Sequence, residues 1–388
     1  MMPTMYRILV CLVVSVFGLS ACGGSSSGGG CDFAEGCINR GALMNDTPAE
    51  RLSAYNLFQN PEDPTDNPRE NGQRYELTSS LFSDYSSKYR FVFVPPGQSA
   101  QWDDAEAFDF PVGTVITKTF SMPADTAHPG FDNERLLETR LLIRRSNGWH
   151  AYPYVWNEEG TEAILRPTGA NISLSVVHNG EQRDFVYRVP ERNHCVRCHQ
   201  KTVGNTAAMV LIGPKARFLN RDEDFGEGPV NQLRLWADAG LLSGVPDDLS
   251  MVETVPAFNH EDAALIDGMS DAYLHQMAKG YLDINCAHCH RPEGSARNSG
   301  MSLEFWRDFE TNRTRHGVCK RPVAFTASPF SFGIVPGDAE ESLMYYRMST
   351  TQPGHRMPEL GKGTVHDEGL ALIGAWIDRM PPDNCEGS

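Results

Sequence analysis

One spacing of cysteine and histidine occurs twice in this chain, as Cys195-Val196-Arg197-Cys198-His199 and as Cys286-Ala287-His288-Cys289-His290. C-x-x-C-H is the attachment signature for c-type haem. Two thiols one short turn apart add across the two vinyl groups of a porphyrin. The histidine directly after the second thiol is then held under the iron as proximal ligand. The spacing predicts two covalently bound haem c groups, one on Cys195 and Cys198 and one on Cys286 and Cys289, with His199 and His290 as iron ligands. Other uses of paired cysteines fit less well. The pairs of a zinc ribbon stand about fifteen to twenty residues apart, much closer than these. A thioredoxin-like pair needs a βαβ context, which neither motif has.

Sixth ligands must come from elsewhere in the chain. Downstream of the second motif, Pro353-Gly354-His355-Arg356-Met357-Pro358 offers the Met357 thioether, with Pro358 stiffening the loop behind it. His355 is the alternative there. Downstream of the first motif, Met209 is close enough in sequence to fold back, although methionine equally serves as a gap-filler in cores. Met251, His260 and His275 are further options. His194 and His288 adjoin the motifs too closely to reach the same iron, so they are expected at the surface or against the haem propionates.

The first residues read as an export leader. Arg7 precedes an apolar run from Ile8 to Leu19, too short for a membrane span. Leu19-Ser20-Ala21-Cys22 resembles a bacterial lipobox, which predicts a lipid on Cys22 and, with Gly23 next, an outer-membrane address in the periplasm. Ten cysteines suit that compartment. Cys11 leaves with the leader and four serve the motifs. Cys31 with Cys37 and Cys319 with Cys385 can then form disulfides. The formal net charge of −16 disfavours nucleic acid and favours a redox partner with a basic docking surface.

Hydrophobic residues at 40% and charged residues at 22% argue against wholesale disorder, and 388 residues exceed one ordinary core. The pattern divides into a leader (1–21), a Gly/Ser tether (22–40), a β-rich domain (41–190), a first haem module (191–270) and a second haem domain (271–388). Between 41 and 190, Leu137, Thr139, Leu141 and Ile143 alternate with a mostly charged face, the period of a half-buried strand. Arg90 to Val94, Gly113 to Phe120, Tyr152 to Trp156 and Ser173 to His178 read alike, which suggests an antiparallel sandwich or barrel. Trp149, Tyr152, Tyr154 and Trp156 read as strand packing. Helices are expected over Asn231–Leu242, Asp271–Leu282 and His366–Met380. The expected fold is therefore a β sandwich or barrel-like domain followed by two mainly α-helical cytochrome c-like modules. The acidic runs Asp103, Asp104, Glu106 and Asp222, Glu223, Asp224 read as solvated loops.

Several strings together resemble a family of bacterial di-haem c-type cytochromes, proteobacterial proteins with an N-terminal β region. They are Tyr281 to Pro292, Val335-Pro336-Gly337-Asp338 through Met348, His355 to Pro358, Leu219-Asn220-Arg221, and Glu138 to Leu142. The part after residue 271 is similar to class I cytochrome c, where a distal methionine sits in a Met-Pro turn. The resemblance implies His290 and Met357 as an axial pair. It implies an electron carrier with no catalytic residues of its own. The absence of a Met-Pro turn between the first motif and Asp271 leaves a second function open, a di-haem peroxidase or oxidase with a free coordination position at the first haem.

Overall fold

The computed structural model describes residues 36–226, 228–323, 325, 329–383 and 385–386. The leader, the lipid-bearing role of Cys22, most of the tether and Cys31 lie outside them. Alternating side chains produce one six-stranded sheet: β1 (Gln73–Arg74), β2 (Ser87–Phe93), β3 (Val115–Pro123), β4 (Glu134–Arg145), β5 (Gly148–Trp156) and β6 (Ala163–Leu165). They lie in chain order across the sheet, each antiparallel to its neighbour.

Both faces of this sheet are covered. On one, Phe91, Phe93, Leu141, Ile143, Tyr152 and Tyr154 pack beneath Leu43, Tyr55 and Phe58 of the N-terminal segment. On the other, Val92 and Ile116 share a core with Phe218, Leu233, Trp236 and Leu242. Alongside, a hairpin of Ala170–His178 with Glu181–Val189 closes over Phe120, Met122 and Leu137. Each large apolar side chain withdrawn from water in this way contributes about 1.5–3 kcal/mol.

This arrangement overturns the expected fold class. The sheet does not close into a barrel, and among the described residues no clear pair of mainly helical cytochrome c-like modules follows it. The described residues are 27% strand and 25% helix. The two longest α-helices among the described residues have twelve residues each. The reason lies in the core: the apolar residues between 211 and 255 have their partners on the sheet, so the segment after the first motif has no separate interior. The charged face of β4 is not solvated either, since Glu138 is 0% exposed.

Two expected helices do form as read. Asp271–Leu282 is capped by Ser270, whose Oγ accepts the Tyr273 N–H, and it packs Leu274, Met277 and Leu282 against Leu372, Ile373 and Ile377 of Asp367–Asp378. The third, Gln232–Asp238, is shorter than expected, begins after Asn231 and contributes Leu233 and Trp236 to the sheet core. No helix among the described residues is long and apolar enough to cross a membrane. Cys319 and Cys385 are joined across 66 residues, and Cys37 is also disulfide-bonded. Closing a loop of that length is worth about 2–4 kcal/mol. Replacing Cys319 and Cys385 by serine should lower the unfolding free energy by about that amount, measured by urea titration. An unchanged midpoint would show that the C-terminal segment is held by its packing alone.

Candidate cofactor site

The first motif lies on a short helix, Arg192–His199, that leaves the Glu181–Val189 strand and runs into a hairpin of Gln200–Val203 with Thr206–Met209. The hairpin turns at Gly204, whose φ of +60° suits a residue without a Cβ. It returns Val210 to His199, and the His199 Nδ1 lies 2.7 Å from the Val210 carbonyl. A carbonyl only accepts, so Nδ1 carries the proton and Nε2 keeps its lone pair. Burial pushes the imidazole down to about 4, so the ring is neutral around pH 7.

The second motif follows the Asp271–Leu282 helix through a single π turn, Asp283–Ala287. Its carbonyls are used locally: Cys286 O accepts from the Cys289 and His290 amides, and Cys289 O from Ala296. The loop closes so tightly at Gly294 that a Cβ there would stand 2.3 Å from Cys289 O. His290 Nδ1 is 2.9 Å from Ser299 Oγ, and burial lowers the pKa of this imidazole as well.

Asp283 connects the two motifs. Its side chain is wholly enclosed, 2.9 Å from Lys215 Nζ and 2.6 Å from Arg217 Nε. Burial alone would raise its carboxyl, but the two cations overcome this and hold it below the usual range. Glu106 makes a second tie, pairing with Arg291 after the second motif and Lys201 after the first. Arg197 reaches Glu359 in the Met357 loop at 2.7 Å. The motifs consequently touch. Ligand atoms of Cys198, His288 and Cys289 all lie within 4.8 Å of one another, and Cys289 Sγ is 3.7 Å from Arg197 O. The nearness of the two thiols raises Cys198 and lowers Cys289, whose thiolate the adjacent His288 also favours.

Three cavities adjoin one another here. One is apolar and contains Cys286, His290 and Met357 among Leu282, Leu303, Met344 and Met348. A second contains Cys195, Cys198 and His199 beneath the inner face of the sheet. The third shares lining residues with both, being lined by Cys198, Cys286, Cys289, His290 and Met357. The donor set fits haem c: each motif presents its thiols in the wall of a cavity also lined by its histidine.

The structure brings His290 and Met357 to the same wall. The Met357 amide donates to Arg347 O at 2.8 Å, and Lys362 Nζ donates to the carbonyls of Met348 and Met357, which anchors the loop. His355 turns away and bonds Tyr346. Met209 is not brought to His199: the hairpin places it in a separate hollow with Trp149, Arg192 and Val196. Of the other options for the first site, Met251 is 81% exposed, His275 accepts from Trp376 Nε1, and the His260 side chain lies outside those described. His194 and His288 both line the His199 cavity. Sequence reasoning missed Asp283, Lys215 and Arg217, whose only signal was an acid immediately before a motif. It took Glu106 for a solvated loop residue and Arg140 for a solvated strand face.

The chain matches no family model, and neither the curated proteins nor the solved structures searched contain a match.

Asp283→Ala should cost about 3–5 kcal/mol, because it leaves two buried cations without their anion. The sign of the pH effect follows from a folded pKa below the unfolded one. The stabilisation is present above the ordinary carboxyl range near pH 4 and is lost as pH falls through the folded value. Asp283→Asn should lose that acid-dependent component in thermal melts between pH 6 and pH 2. Identical pH profiles for variant and wild type would contradict the assignment.

Proposed function

We propose that this chain is a di-haem c-type cytochrome that passes single electrons between redox partners outside the cytoplasm. The contact between Cys198 and Cys289 carries this reading. Two attachment motifs far apart in sequence share one wall, an arrangement suited to relay between two centres. When bound, the haems supply one-electron iron couples whose potentials depend on axial ligands and burial.

The residues of the chain have separable tasks. Cys195, Cys198, Cys286 and Cys289 would hold the two haems through thioether links. His199 presents Nε2 as a ligand, with its tautomer set by Val210, and His290 is oriented by Ser299. Met357 would offer a thioether to the apolar cavity that His290 also lines, among Leu282, Leu303 and Met344. The net charge of −16 favours encounter with a basic partner surface and disfavours nucleic acid. The Cys319–Cys385 disulfide and the lipobox-like leader support a periplasmic location, with a lipid on Cys22 tethering the chain to the outer membrane. Resemblance to the bacterial di-haem family points the same way.

A second reading is a di-haem peroxidase or oxidase. What favours it is that no methionine lines the His199 cavity among the described residues, so that centre lacks a thioether from the protein. A persistent high-spin signal in the oxidised protein with peroxide turnover would select the enzyme, and two low-spin signals the carrier.

Purified protein should show an intact mass with two added macrocycles. Met357→Ala should keep both and lose the thioether-to-iron charge-transfer band. A mass without macrocycles would remove the proposal, and an unchanged band would assign the ligand to another side chain such as Met344 or Met348.

A further inference from the structure

The cavity holding Cys195, Cys198 and His199 has an unusual charge pattern. Arg90, Lys118, Arg140 and Arg188 line it, and no aspartate or glutamate among the described residues does, in a chain of net charge −16. Three of these cations form a row across the sheet. Arg90 on β2 is the register partner of Lys118 on β3, which is the partner of Arg140 on β4. Like charges directly opposite on neighbouring strands destabilise a sheet. The two outer members are compensated from behind. Arg90 is 3.0 Å from Glu76 and 2.9 Å from Ser80, and Arg140 makes two bonds to Glu138, at 2.8 and 2.6 Å. The central one is not. Lys118 Nζ stands 4.8 Å from the Phe120 ring centroid, and no ion pair or hydrogen bond reaches it among the described residues. Burial and then the charges of Arg90, Lys88 and Arg140 hold its ammonium well below the lysine range, a cost that an anion in the cavity would relieve.

We infer that Lys118, flanked by Arg90 and Arg140, is the seat for the carboxylates of a porphyrin attached at Cys195 and Cys198. The inference rests on the haem reading above and names the residues that receive the acidic edge of that group. A small free oxyanion could use the same cations, but the rest of the wall argues for the larger occupant. Leu77, Ile116, Leu142, Leu211 and Ile284 make it long and apolar, with charge concentrated on the sheet. An apolar body with an anionic edge matches that distribution, whereas a lone oxyanion would leave most of the wall without a partner.

The test uses the full chain matured with its haems, comparing wild type, Lys118→Gln and Lys118→Arg by haem content and potentiometric titration. Removing one positive charge beside one centre should move one couple to lower potential and leave the other in place, with two haems retained. Lys118→Arg should restore the wild-type value. If Lys118→Gln does not fold, Lys118→Met, apolar and of similar reach, replaces it. Full haem loading with neither couple moved would overturn the seat alone. Wild-type protein without haem would overturn both the seat and the proposed function. Formate serves as the probe for a free anion. If it perturbs the wild-type Soret band saturably but not that of the variant, while both couples match in formate-free buffer, the seat belongs to a free oxyanion and the inference fails.

Discussion

The enclosed carboxylate of Asp283 is the constraint on which the candidate site depends. A charge removed from water is tolerated only while its partners stay in place. Lys215 and Arg217 come from the segment behind the first motif, and Asp283 opens the π turn that carries the second. Neither segment can move away without exposing an unpaired ion in a low-dielectric interior. The meeting of Cys198 with Cys289, and the adjoining of cavities on either side of them, follow from that restriction together with the outer ties through Glu106 and Glu359.

The sheet contributes a wall more than a domain. Its outer face is an ordinary aromatic and aliphatic core, but its inner face combines Val92 and Ile116 with Arg90, Lys118, Glu138 and Arg140. Such a face is neither a core nor a solvated surface. Some of its charges are compensated internally, as with Glu138, which also accepts the Tyr187 hydroxyl. The apolar half anchors the segment from 211 to 255, and the charged half faces the His199 cavity.

Local signals in the sequence were read well where the deciding interactions are local. The strands around Arg90, Leu137 and Tyr152, the Asp271–Leu282 helix and the Cys319–Cys385 pairing stand where periodicity and cysteine count put them. Misreadings arose where a partner lies far away in the chain. Period two in β4 identifies two faces but does not say that a hairpin and a later segment cover the charged one. The stretch after His199 resembles a module of its own, yet Phe218, Leu233 and Trp236 find their partners on β2 and β3. Met209 was close to His199 in sequence, but a two-residue turn pairs it with Gln200 in a hairpin that carries it out of the cavity.

Sequence alone determined the chemistry available at each point: paired thiols at a spacing set by one helical turn, a histidine directly after them, a thioether before Pro358, and an acidic chain. These properties reside in a few consecutive residues and survive any fold. Tertiary structure decided which of them face one another. It brought the two motifs into contact, directed the His199 Nδ1 proton to Val210, selected Met357 over His355 for the His290 cavity, and aligned three cations across adjacent strands. The reason is physical: burial, register and ion pairing between distant segments depend on how the whole chain excludes water, and no short stretch contains that information.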